Sequence, residues 1–145
     1  MLDKSTAVGE RILLTLWVGA LWCVGYVVAP VLFANLETAQ AGALAGEMFT
    51  AVAYLSLFCG AVLLLLQLLR EPRLGNWRAW VVAAMLVGIA AGEFGIRQLM
   101  AEESGEAFMR LHGIAQLIYL AVSMLGLALV AFGSRPASGW GRAAT

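Results

Sequence analysis

Charge is what this sequence has least of. Only 12% of its 145 residues are Asp, Glu, Lys or Arg, against about 25% in an average soluble domain. Nine basic and nine acidic residues cancel to a formal net charge of zero, so no basic bulk exists to hold nucleic acid. Cysteine is nearly absent too. Cys23 and Cys59 stand alone without CxxC or Cys/His spacing, which indicates neither a disulfide framework nor a zinc site. Histidine occurs once, at His112, which excludes a bis-histidine haem within one chain. A nucleophile–base pair, a metal motif and a phosphate loop are all missing, so neither an enzyme nor a cofactor is expected.

What the chain has is apolar mass. Hydrophobic residues make up 62% of it, more than a soluble fold of this size can hide in its interior. The expectation is a single integral membrane domain over residues 1–145, an all-α four-helix bundle in contact with membrane lipid.

Four runs are long enough. Ile12 to Leu36 carries no charge over 25 residues, and Met48 to Leu69 none over 22. A third run, from Ala79 to about Ala101, is interrupted only by Glu93 and Arg97. The fourth, Leu111 to Gly133, has His112 as its sole ionisable group. A helix needs about 20 apolar residues to cross a hydrocarbon core of about 30 Å. The predicted spans are 12–34, 48–69, 79–101 and 108–133. Strands are excluded by the lack of alternation and by the minimum of about 8 strands in a barrel. The Ala/Gly-rich segment from Asn35 to Gly46, the Pro/Gly/Asn stretch Glu71–Asn76 and the acidic stretch Glu102–Glu106 read as connections.

Orientation follows from the basic residues. Lys4, Arg11, Arg70, Arg73, Arg78, Arg135 and Arg142 fall at one end, and only Arg97 and Arg110 at the other. The positive-inside rule then puts both termini in the cytoplasm of a bacterial inner membrane, with Trp77 and Trp80 in an interfacial belt. A cleaved signal peptide ending near Ala43-Leu44-Ala45 is the competing reading. Secretory apolar regions run to about 7–15 residues, and the first run is much longer.

A rise of about 1.5 Å per residue puts Glu93 and Tyr26 about 9 Å below the outer membrane edge. Tyr54 and His112 come out at a similar depth, giving one polar residue per helix in a common layer. On the fourth helix, His112, Gln116, Tyr119 and Ser123 follow helical spacing and share a face. A polar stripe facing lipid would leave its groups unsatisfied, so it is expected to face the interior or a water-filled crevice. Interhelical hydrogen bonding alone is the plainer explanation. Arg97 can snorkel outward. Glu93 is deeper, and His112 is its expected companion. His112 with Met109 could also make a soft metal site, although no Met/His cluster supports one and no metal is expected. Ala84, Gly88 and Gly92 form a small-xxx-small row, suited to internal packing or to a dimer face. Gly19, Pro30 and Gly113 join them as expected packing positions.

The stretch WVGALWCVGYVVAPVLF (Trp17–Phe33), followed by AGALAGEMF (Ala41–Phe49) and RLHGIAQ (Arg110–Gln116), resembles a family of small membrane proteins. It is similar to the bacterial branch related to eukaryotic transmembrane protein 205, catalogued as a domain of unknown function. The resemblance implies a four-helix membrane protein, with Trp17, Gly19, Pro30, Phe33, Phe49, His112 and Gly113 as family-like positions. It implies no activity.

Three functions fit these readings. The leading one is a transport or ligand-binding bundle with Tyr26, Tyr54, Glu93, Arg97, His112 and Gln116 around an outward-facing polar crevice. The second is an accessory or assembly subunit whose small-residue faces bind a second copy or another membrane subunit. The third is a metal- or haem-binding redox subunit using His112.

Overall fold

A computed structural model describes residues 2–70 and 76–133, all helical apart from the links and caps. The expected turn at Glu71–Gly75, and Arg73, Arg135 and Arg142, lie outside these residues, as do the side chains of Lys4 and Arg70.

There are four long helices. Helix α1 runs over Leu2–Cys23, widens into a π-helical turn at Val24–Val28, and resumes as Ala29–Asn35. Helix α2 is Thr38–Arg70. Helix α3 covers Trp77–Ala90, a π-helical turn at Ala91–Ile96, and Arg97–Glu102. Helix α4 is Gly105–Phe132. Each of the four is long and apolar enough to cross a membrane. An even number of crossings returns Gly133 to the end of the bundle where Leu2 begins.

The links are shorter than the composition implied. Helix α2 starts at Thr38, ten residues before Met48, because the Ala-rich segment is helix rather than loop. Alanine is the best helix former. Ala41 and Ala45 are also buried against the end of α1, so the segment has packing to hold it. Only Leu36 and Glu37 separate the first two helices, with Leu36 extended. Only Glu103 and Ser104, both extended, separate the last two. The second link ends on Gly105 at φ 61°, a left-handed conformation that needs glycine. Asn76 starts α3 by accepting a hydrogen bond from the Ala79 amide.

The first π turn has an identifiable cause in Pro30. Proline offers no N–H to the carbonyl of Tyr26, and its ring would clash there in a regular helix. Widening the turn relieves the clash, and the Ala29 amide bonds back to the Val24 carbonyl. The second π turn has no proline but contains Gly92 and Gly95; its exit is marked by the Arg97 amide bonded to the Gly92 carbonyl.

The core lies in the half nearer the termini, around Trp17, Leu21, Cys59, Leu63, Val82, Met85, Val122 and Leu129. Glycines allow the helices to approach there. A Cβ on Gly126 would meet Val18 Cγ2 at 2.9 Å, and one on Gly88 would meet Val122 Cγ2 at 2.8 Å. Of the expected packing positions, Gly88 alone has this role against a neighbouring helix. Gly19, Gly92 and Gly113 would each accept a Cβ with nothing within 4 Å, and Ala84 and Pro30 are exposed. The i, i+4 row drifts around α3, so its members do not share one buried face.

Beyond the core the four helices part into two pairs. Helix α2 packs on α3 through Trp77–Ala90, and α4 packs on α1 through Leu2–Cys23. In the half opposite the termini, Val24–Asn35 leans on α2, while Ala91–Glu102 leans on α4. The backbones of hairpin α1/α2 and hairpin α3/α4 therefore stand further apart at the end where the two short links lie, and side chains bridge the cleft between them.

Candidate functional site

Glu93 stands in the second π turn, and its carboxylate crosses this cleft. Oε1 accepts from Arg97 Nη1 at 2.7 Å and lies 3.0 Å from Thr50 Oγ1 on α2, whose single proton is shared with the Gly46 carbonyl at 3.1 Å. The Glu93 side chain is 13% exposed and that of Arg97 40%, so the carboxylate is the sheltered half of the pair. Arg97 also spans the cleft, because its Nη2 lies 3.9 Å from where a Cβ on Gly46 of α2 would stand. Tyr54, one turn along α2 from Thr50, meets Phe94 edge-on with ring centroids 6.2 Å apart. Tyr54 is exposed, on the outer flank of this cluster rather than inside it.

The expected pairing of Glu93 with His112 does not form. His112 is exposed, stacks on Phe108 at 6.0 Å, and shares a hydrogen bond of 3.1 Å with Gln116 on its own helix. Equal depth along two helices says nothing about direction around them, and here the two side chains point to different neighbours. Met109 is exposed as well, and the described residues contain no group of three His, Cys, Asp or Glu able to hold a metal.

The stripe on α4 keeps one face but changes surroundings along its length. Ser123 is fully buried, and its carbonyl accepts from Trp22 Nε1 at 3.3 Å. Tyr119 donates from its hydroxyl to the Leu21 carbonyl at 2.5 Å. Both meet α1. Higher up, α1 has leaned away to α2, and the same face carries Gln116 and His112 exposed above Tyr119. Tyr26, in the first π turn, lies against Trp22 at 4.6 Å and Tyr119 at 6.3 Å, and Phe49 meets Tyr119 edge-on at 5.1 Å. Aromatic rings from α1, α2 and α4 thus floor this side of the cleft.

Gly25 makes room for that floor, because a Cβ there would collide with the Tyr119 ring. Replacing Tyr119 by Phe removes the bond that ties α4 to Leu21 of α1, just before the first π turn. Interhelical bonds of this kind average about 0.6 kcal/mol in membranes and reach about 1.7. Thermal unfolding in detergent should show a loss in that range; an unchanged midpoint would mean the hydroxyl contributes nothing.

Thr50, Phe49 and Trp22 were not among the expected site residues. Thr50 had a signal, since it is the polar residue one turn from Tyr54 and falls near the depth of Glu93. Phe49 had only its place among the family-like positions, and Trp22 had none beyond apolar character.

No curated protein and no solved structure matches the chain. One family model does, over residues 12–109, from the first apolar run through the cleft-crossing Glu93 and Arg97 to the first turn of α4. That stretch is most of the chain and carries three of its four helices, so the protein belongs to the family described as Domain of unknown function (DUF4149).

Proposed function

We propose that the protein is a small multi-pass transport or ligand-binding protein of the bacterial inner membrane, not an enzyme, and that the cleft between its hairpins is the binding site. With both termini cytoplasmic, as the distribution of Lys and Arg implies, the cleft opens outward. One observation carries the reading: a sheltered carboxylate, bonded across two helices, lies where the bundle divides. Ionisable groups within membrane spans are rare and mark ligand or ion pathways. Glu93 and Arg97 are the principal ligand groups, with Thr50 holding the carboxylate. Tyr26, His112 and Gln116 line the approach, and Tyr54 flanks it.

The test is uptake by proteoliposomes, and equilibrium binding, across a panel of small ions and zwitterions. At least one solute should be bound or moved, and Glu93→Gln should lower that signal about tenfold or more. If Glu93→Gln and Arg97→Gln leave every flux and affinity unchanged, the cleft is structural only.

A further inference from the structure

The two hairpins repeat each other in register. Val24, Asn35 and Thr38 start the first π turn, end α1 and start α2; Ala91, Glu102 and Gly105 do the same in the second hairpin. The shift is the same at all three positions (24 to 91, 35 to 102, 38 to 105). At that shift Gly46 matches Gly113, and Ser56 matches Ser123, both serines being fully buried. With two crossings per unit the halves run the same way through the membrane, as parallel repeats about an axis along its normal.

The repeat puts a weak point in all four helices at one level. Val27, in the first π turn, lies nine residues before Leu36, and Gly46 lies nine residues after Glu37. Phe94, in the second π turn, lies nine residues before Glu103, and Gly113 nine residues after Ser104. Long helices kink at π turns, and glycine is the most permissive residue within a helix. Packing requires neither Gly46 nor Gly113. A Cβ on Gly113 would meet nothing within 4 Å, and one on Gly46 only Arg97 Nη2 at 3.9 Å. Alanine would hold a straight helix better at both positions. The Gly46 carbonyl also accepts from Thr50 Oγ1 at 3.1 Å, a back-bond of the kind that bends helices.

Side-chain contacts divide at the same level. At it and nearer the core the hairpins are tied together: Thr50 to Glu93, Tyr54 to Phe94, Phe49 to Tyr119, Tyr119 to Leu21 and Trp22 to Ser123. Beyond it, side chains pair within their own hairpin. Asn35 bonds the Val31 carbonyl, Glu106 pairs with Arg110, and Phe108 stacks on His112. Among the described residues, no hydrogen bond, ion pair or ring contact joins the two hairpins there.

We propose that each hairpin ends in a flap that bends about this line while the core stays fixed. One flap is Ala29–Asn35 with 38–46, the other Arg97–Glu102 with 105–113. Bending parts the flaps, uncovers Glu93 and Thr50 at the pivot, and makes room above them for a ligand. That role rests on the cleft as the binding site; the bending itself does not.

The experiment measures distances between nitroxide labels by pulsed electron spin resonance, on the full-length protein in lipid nanodiscs. Cys23→Ala and Cys59→Ala remove the native thiols, and labels go to exposed positions. Leu44→Cys with Met109→Cys spans the flaps, Val31→Cys with Leu44→Cys lies within the first, and Leu65→Cys with Leu127→Cys lies in the inner half. The distribution across the flaps should be at least about twice as wide as that of the inner pair, or split in two. The pair within the first flap should be as narrow as the inner pair. Gly46→Ala with Gly113→Ala adds no clash and favours straight helices, so it should remove most of the excess width. A cross-flap distribution as narrow as the inner one, or one that the double alanine variant leaves unchanged, overturns the proposal. Equal broadening within the first flap overturns it too, because the helices would then fray singly. Solute binding by a protein whose flaps never part would sink this inference and leave the binding reading standing. Flaps that part in a protein that binds no solute would do the reverse.

Discussion

Replacing Gly60 by Val should lower the unfolding free energy by about 1–3 kcal/mol, the range for overpacking a filled core. A Cβ at this position would stand 2.5 Å from Leu86 Cδ2 and 2.8 Å from Trp17 Cη2. The leucine methyl can swing away. The indole cannot, since Trp17 is fully buried where α1 meets α2. Gly19 is the internal control, because its Cβ position faces nothing within 4 Å and Gly19→Val should change stability by no more than about 0.5 kcal/mol. Reversible unfolding in detergent or bicelles measures both. If the two variants unfold alike, the close approach at Gly60 is not what holds α1 and α2 together.

Arg97→Gln should be the most damaging single change in the cleft. It leaves the Glu93 carboxylate, 13% exposed, with the Thr50 hydroxyl as its one remaining partner. Hydrogen bonds to charged groups contribute about 1.5–3 kcal/mol. The 40% exposure of Arg97 lets water replace part of the loss, which puts the cost toward the lower end. Thr50→Val removes a neutral interhelical donor and should cost nearer 0.6 kcal/mol, roughly the membrane average. Adding Glu93→Gln to Arg97→Gln should recover most of the stability, because no charge is then stranded. A double-mutant cycle measures the coupling. Additivity of the two single changes within about 0.5 kcal/mol would show that the pair is an incidental surface contact.

The same two residues show how far the sequence could be read. Their spacing of four puts Glu93 and Arg97 on one helix face, yet His112 was the expected companion of Glu93, and it is Arg97 that forms the ion pair. Depth counting put Glu93, Tyr26, Tyr54 and His112 in one layer but gave no direction around each helix. The π turns make that direction harder to count, because an extra residue per turn rotates everything beyond it relative to a regular 3.6-residue period. Glu93 and Tyr26 both sit inside such turns. The stripe on α4 was legible as a face. That its upper half would be exposed was not, because α1 leans toward α2 only in the folded bundle.

By itself, the sequence determined that four helices are long and apolar enough to cross a membrane and which of them carries charge. Those properties sum residue by residue along each segment, since transferring a side chain into hydrocarbon needs no knowledge of its neighbours. The two-residue links, the division into hairpins, the repeat between them and the choice of Thr50 over His112 as a partner of Glu93 were decided by the tertiary structure. Each depends on where a helix leans and how far it has rotated, and those are set by contacts between residues far apart in the chain.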